Sequence, residues 1–316
     1  MTWLSRLMLA ITAMLAPCGP PLAAHNGERG DELRLQAPAI IQVKVNGIAI
    51  RLEVDPGLGG PVILNAQVAE TLKLKRRGER GWDFGSLTLS GHETKARLVF
   101  ETPSFKRSSR ASIAWTPRQA SLVADGVIGV HHLPWDRVTF LLGKPSANER
   151  ASRVKLVRRT HPSSTRLGTE VEVGEDRLFV RFSLDQPLNL VTARTANFIA
   201  THQEGAFVKG SEREVQMVFD VPAQTREMRL AYPIELGDLR INSFAVRVKN
   251  HGRPSEVGAM ERDDPRFQDG AIIVTRRKRK GRDDLLTSLG RDQLQACSRL
   301  TFAKRAKVVE LSCSTS

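Results

Sequence analysis

Ile48-Ala49-Ile50-Arg51-Leu52-Glu53-Val54-Asp55-Pro56-Gly57 is the stretch that decides how the rest of the chain is read. Apolar side chains fall at 48, 50, 52 and 54, separated by Ala49, Arg51 and Glu53, the period of a strand with one buried face. Pro56 has no N–H for a ladder and Gly57 loosens the backbone, so the strand stops at Asp55 and a loop begins. Upstream, Ile40 to Val45 predicts a partner strand, and the intervening Asn46-Gly47 is a dipeptide favoured in tight hairpins.

The same phrase returns at an offset of 130 residues. Leu178, Val180, Phe182 and Leu184 alternate with Phe179, Arg181 and Ser183, and the run ends on Asp185-Gln186-Pro187. Without gaps, Ile48 falls on Leu178, Leu52 on Phe182, Val54 on Leu184 and Asp55 on Asp185. The match continues through Leu58 on Leu188, Ala66 on Ala196 and Val68 on Phe198, and helices are expected over 65–72 and 195–201. Gly85 to Leu89 reads like Gly237 to Ile241. Asp125 to Gly129, then Val138-Thr139-Phe140, reads like Asp284 to Gly290, a helix over 291–297, then Leu300-Thr301-Phe302. Duplicated, strand-rich halves predict two lobes about a pseudo-twofold axis. The lobes are expected over 33–144 and 169–316, with a Ser-, Arg-, Pro- and Thr-rich linker over 145–168.

The chain of 316 residues is 41% hydrophobic and 5% aromatic, with one tyrosine, Tyr232, so aliphatic and β-branched side chains must fill the core. Residues 1–24 have the plan of a cleaved signal peptide: Arg6, an apolar run from Leu7 to Leu15, then Leu22-Ala23-Ala24. That run is short for a membrane span and is followed by Pro17, Gly19, Pro20 and Pro21. Leu15-Ala16-Pro17-Cys18 has the outline of a lipidation motif, but with proline where a small residue belongs. A periplasmic or secreted location follows, with no transmembrane segment in the mature chain. Cys297 and Cys313 then remain, and an oxidising compartment favours their pairing over two separate thiols.

Net charge is +14, densest in Arg276-Arg277-Lys278-Arg279-Lys280-Gly281-Arg282. On an exported protein such a run suits anionic envelope surfaces or a solvated loop, and no nucleic-acid partner is expected. His92-Glu93 lacks the second histidine of a zinc motif, and Gly57-Leu58-Gly59-Gly60 has the wrong spacing for a dinucleotide loop. His131 and His132 read as residues of a turn before a short helix, Trp82 as the anchor of a hairpin, and Trp135 and Tyr232 as packing residues.

A hydrophobic strand ending in Asp, a glycine two residues on, a short helix, and a later hydrophobic-hydrophobic-Gly element resemble the aspartic peptidases. The pattern is most similar to retropepsin-like, bacterial aspartyl-protease-family proteins. The resemblance implies a mainly β, two-lobed barrel fold with short helices after each Asp loop. It implies Asp55 and Asp185 as catalytic residues, in loops carrying Pro56, Gly57, Gln186 and Pro187. Ile128-Gly129 and Leu289-Gly290 supply the hydrophobic-Gly elements, and neither metal nor cofactor is required. Two carboxyls held together share a proton, one acting as base towards water and one as acid. The loops here read Asp-Pro-Gly and Asp-Gln-Pro, without the hydroxyl by which the family's Asp-Thr-Gly or Asp-Ser-Gly loops hold one another. Two functions are therefore expected: an aspartic-type endopeptidase acting on polypeptides, or an inactive module on the same scaffold that binds peptides or anionic envelope components.

Overall fold

The computed structural model describes residues 28–29, 31–84, 88–102, 106–161, 164–247 and 285–314. The expected signal peptide over 1–24 and the basic run 276–282 lie outside the described residues.

Strands β1 (Glu28–Arg29) and β2 (Glu32–Gln36) come first. The first lobe follows with β3 (Ile40–Val45), β4 (Ile48–Asp55), β5 (Val62–Asn65), helix α1 (Ala66–Thr71), β6 (Gly78–Asp83), β7 (Thr88–Glu101), β8 (Lys106–Thr116) and β9 (Gly126–Gly129). β10 (Arg137–Leu141) and β11 (Glu149–Lys155) leave it. The second lobe holds β12 (Val157–His161), β13 (Ser164–Val173), β14 (Asp176–Phe182), β15 (Leu190–Thr192), α2 (Ala193–Gln203), β16 (Gly205–Phe207), β17 (Arg213–Met217), β18 (Val221–Leu236), β19 (Leu239–Arg247) and β20 (Leu286–Leu289). Helix α3 (Arg291–Leu294), β21 (Cys297–Ala303) and β22 (Val308–Ser314) end the chain's described part.

The hairpin signal at 46–47 is realised: Asn46 and Gly47 both take positive φ, at 50° and 83°, and β3 pairs β4 across them. The alternation in β4 then buries Ile50, Leu52 and Val54 and leaves Ile48 outside. The first lobe's strands run in the order β3-β4-β9-β5-β8-β7, and β7 pairs back onto β3, closing a six-stranded barrel with β6 on its flank. Closure removes the open edges that would otherwise need protection.

The second lobe repeats this wiring as β13-β14-β20-β15-β19-β18, with β17 on the flank of β18 as β6 is on β7. Parallel and antiparallel pairings recur in the same places: β4 with β9 and β14 with β20 are parallel, as are β5 with β8 and β15 with β19. A third sheet, β1-β2-β10-β21-β22-β11, takes strands from both halves. One buried apolar cluster runs through both lobes and this sheet, from Leu52 and Phe100 to Phe182, Phe244 and Phe302. The architecture is mainly β and two-lobed, with a short helix after each Asp loop.

Some expectations are corrected and others are met. Residues 145–168, expected as the linker between the lobes, carry strands: β11 is an outer strand of the shared sheet, pairing β22, and β12 pairs β13. By position in the sheets β18 corresponds to β7 and β19 to β8, so Leu239–Ile241 matches the β8 side rather than the start of β7. Glycine turns feeding apolar strands look alike in sequence, which is why the two were paired. Tyr232 is 57% exposed, where the β18–β19 register shifts between Arg229 and Ile234. Trp135 is buried edge-on against Phe100. Cys297 and Cys313 sit opposite one another in β21 and β22 and form a disulfide.

Candidate functional site

Asp55 ends β4, where it pairs Gly129 of β9. Its Oδ1 accepts the backbone N–H of Gly57, 3.2 Å away, because the chain turns back at Pro56-Gly57. The same oxygen accepts the N–H of Leu184 from the second lobe, also at 3.2 Å. Gly57 is needed here for close approach: a Cβ would stand 2.7 Å from the carbonyl oxygen of Phe182 and 3.2 Å from the Cβ of Ser183. The Asp55 carboxyl is pushed up to about 6, chiefly by burial and further by the charge of Asp185, while the two N–H donors and Arg181 pull the other way. Arg181, in β14, donates to the carbonyl of Gly57 at 3.4 Å and lies in a site that depresses its own ionisation by burial.

The second loop differs. Gly129 and Gly290 occupy the same place in their lobes: Gly129 ends β9 and Gly290 directly follows β20, each precedes a helical turn, and each is pressed against the carbonyl of a loop leucine, Leu58 or Leu188. In the first lobe Asp55 lies opposite Gly129. In the second, Phe182 pairs Leu289, and the N–H of Ser183 donates to the carbonyl of Leu289 at 2.9 Å, so Ser183 lies opposite Gly290. By strand register the counterpart of Asp55 is Ser183, and Asp185 lies two residues farther along the loop. This corrects the equivalence of Asp55 and Asp185 read from the ungapped match. A slip of two residues keeps every side chain on its own face, so hydrophobic alternation cannot detect it.

Asp185 is exposed, and its carboxyl is pushed up by burial of its surroundings against the opposing pull of Arg291. Gln186 and Pro187 do not reach across to the first loop. The Gln186 amide donates to the carbonyl of Gln216 in β17, and the carbonyls of Gln186 and Pro187 accept the N–H groups of Arg291 and Asp292, capping α3. Leu289 and Ile128 are fully buried beneath their loops. Asn189, unremarked in the sequence, braces the second loop: its Oδ1 accepts the N–H of Gly290, and its amide donates to Ser243 and Gln293.

His131 and His132 lie within the helical turn after Gly129, not ahead of it, and both are half-buried. Their Nε2 atoms reach one acceptor, the carbonyl of Gly60, at 3.0 and 2.8 Å. Burial lowers both imidazoles, His131 to about 3, so they are neutral donors that hold the far side of the first Asp loop.

Two spaces open from the loops. A cleft of about 930 Å³ runs between residues 118–123 of the first lobe and β17 with its turn in the second, and Glu53 and Asp185 lie on its floor. Its roof is shared: Trp82 and Phe84 pack edge-on against Phe219, and Arg118 donates to the carbonyls of Phe219 and Asp220. A second chamber of about 340 Å³ lies towards the shared sheet, and both Asp55 and Asp185 line it. Ser183, Arg181 and Asn189 are the site residues that sequence reasoning missed. Arg181 carried a signal, a charged residue one turn of the pleat away from a predicted core position.

No family model matches the chain. No curated protein matches it either. Among solved structures it is similar to the crystal structure of Basic 7S globulin from soybean, with 11% identity over 86% of this chain and 91% of that one. The TM-score is 0.36, too low to carry any argument, and the fold rests on the strand wiring above.

Proposed function

We propose that the protein is an exported binding module on an aspartic-peptidase-like scaffold, taking an extended polypeptide in the cleft between its lobes. The carrying observation is the position of Ser183. A hydrolytic pair needs two carboxyls at matched strand ends, sharing one proton. Here the matched position holds a hydroxyl-bearing side chain, and the Leu184 N–H points at the one carboxylate that remains.

The cleft suits an extended ligand. β17 pairs β18 on one side and carries no strand on the other among the described residues. The outward carbonyl of Gln216, now held by the Gln186 amide, marks an edge that a peptide can join as an added strand. The lining carries Glu53, Asp185, Glu214, Asp220 and Asp292 against Arg118 and Arg213. An acid-lined cleft in a chain of charge +14 favours peptides rich in Lys or Arg. Export is supported by the disulfide and by the expected signal peptide.

A second reading, acid hydrolysis by Asp55 with Asp185, draws on the raised Asp55 carboxyl and on the chamber that both residues line. One experiment separates the two. Mature protein is incubated with an unfolded, lysine-rich polypeptide from about pH 3 to 7, and binding and cleavage are followed together. Binding without new fragments is expected. Cleavage that disappears in Asp55→Asn establishes the second reading instead.

A further inference from the structure

We infer that the chamber beside Asp55 is a binding site for a small apolar amine, held as its ammonium ion. The chamber adjoins the peptide cleft and shares Glu53 and Asp185 with it, while Asp55, Leu35, Phe140 and Leu294 line the chamber and not the cleft.

The walls and the charges point the same way. Leu35 in β2, Phe140 in β10, Val54, Leu184 and Leu294 give the chamber an apolar body. Among the described residues its lining also holds three carboxyls, Glu53, Asp55 and Asp185, and one cation, Arg291. Arg181, outside the lining but acting on Asp55, counts against it, yet among the described residues carboxyls still outnumber cations by three to two. Glu53 is partly occupied, since its Oε2 accepts the Ser121 hydroxyl at 2.7 Å. Asp55 is not: among the described residues, both hydrogen bonds to its carboxyl fall on Oδ1, which leaves Oδ2 for a ligand. A volume of about 340 Å³ lies at the lower end of the size range of small-molecule sites. A carboxylate-bearing ligand meets three like charges there, and a neutral one leaves the carboxyls unpaired, so the chemistry selects a cation with an apolar tail.

The geometry also sets a pH dependence. A cation bound at Asp55 competes with that carboxyl's proton, so affinity falls as the solution is acidified below about 6. The other charged groups lining the chamber are Glu53, Asp185 and Arg291.

The test uses the full mature chain and three probes of matched shape: 2-phenylethylamine, 2-phenylethanol and 3-phenylpropionate. Ligand-observed NMR or calorimetry at pH 7.5 is expected to show the amine binding at least tenfold more tightly than either analogue. Acidification to pH 4.5 weakens it at least tenfold. Asp55→Asn, which keeps the Oδ1 acceptor, is expected to cost about tenfold as well. Ala37→Trp, at an exposed position on the chamber rim, blocks entry without touching the core. Equal binding of amine and alcohol overturns the proposal, as does binding unaffected by both Asp55→Asn and Ala37→Trp. Amine binding lost in the cleft variant Leu122→Asp but kept in Ala37→Trp also overturns it, because it places the ligand in the cleft.

Discussion

The backbone N–H of Leu184, in the second lobe, donates to the Asp55 carboxylate, in the first, across 3.2 Å. That bond joins the lobes at the point where the resemblance to aspartic peptidases leads one to expect a second carboxyl. It also fixes which Asp55 oxygen is free.

Asp55 couples stability to pH with a definite sign. A carboxyl raised from its ordinary 3.8 to about 6 holds its proton more tightly in the folded state. Folding stability is therefore greatest below about 4 as far as this group goes, and falls as pH climbs through about 6. The full effect is at most about 3 kcal/mol, since each tenfold gain in proton affinity is worth about 1.4 kcal/mol. Asp55→Asn is expected to flatten that part of the curve and to be more stable than the native chain at pH 8. Urea denaturation at pH 4, 6 and 8 checks it, and a parallel pH profile in the variant contradicts it.

Gly57→Ala tests the approach of the loops. The new Cβ meets the Phe182 carbonyl oxygen at 2.7 Å, and backbone cannot swing away as a side chain can. The lobes must separate, with a loss of roughly 1–3 kcal/mol typical of overpacking. The Asp55 carboxyl is expected to return towards its ordinary value as the parted lobes admit water, because lost burial, the largest cause of the rise, outweighs loss of the Leu184 N–H, which on its own would raise it further. A variant as stable as the native chain, with Asp55 unmoved, refutes the contact.

Phe219 closes the roof of the cleft from the second lobe. It is buried at positive φ between Trp82 and Phe84. Phe219→Ala is expected to cost about 3 kcal/mol, in the range for large-to-small core changes. Trp82 gains solvent, so tryptophan emission shifts to the red, and peptide binds faster through the opened cleft. Unchanged emission means that the two lobes do not meet there.

The disulfide ties β21 to β22 and thereby the C-terminal end of the shared sheet. It closes a segment with a sequence separation of 16, for which cross-linking stabilises by about 3 kcal/mol. Reductant, or replacement of Cys297 and Cys313 together by alanine, is expected to lower Tm by several degrees. Equal melting temperatures with and without reductant dispose of that role.

Much of this was legible in the sequence. Alternation in 48–54, the Asn46-Gly47 hairpin and the two hydrophobic-Gly elements mark the strands that carry the site, and the duplication predicts two lobes with repeated wiring. What the sequence hid follows from period two. Strand β14 aligns with β4 at an offset of 128 as well as at 130, because both keep Leu178, Val180 and Phe182 on the buried face. Pairing with β20 chooses between them, and that pairing depends on a contact more than a hundred residues away. The second loop is longer before Leu188 and lacks the Gly59-Gly60-Pro61 stretch after it, so the two differences nearly cancel, and the match at an offset of 130 holds at Leu58 and Leu188 but not in the strands on either side. Tyr232 and the β-structure of 145–168 were hidden for a related reason: bulges and sheet edges leave little trace in composition.

The most direct test of the central claim is a carboxyl-carbon NMR titration of Asp55, in the native chain and in Asp185→Asn. A half-buried carboxyl braced by Leu184 and sharing no proton with Asp185 is expected to show one transition near pH 6, moving down by less than about one pH unit when the Asp185 charge is removed. Two well-separated transitions shared between Asp55 and Asp185, collapsing to one ordinary carboxyl in the variant, would contradict it and restore the pair as a proton-sharing dyad.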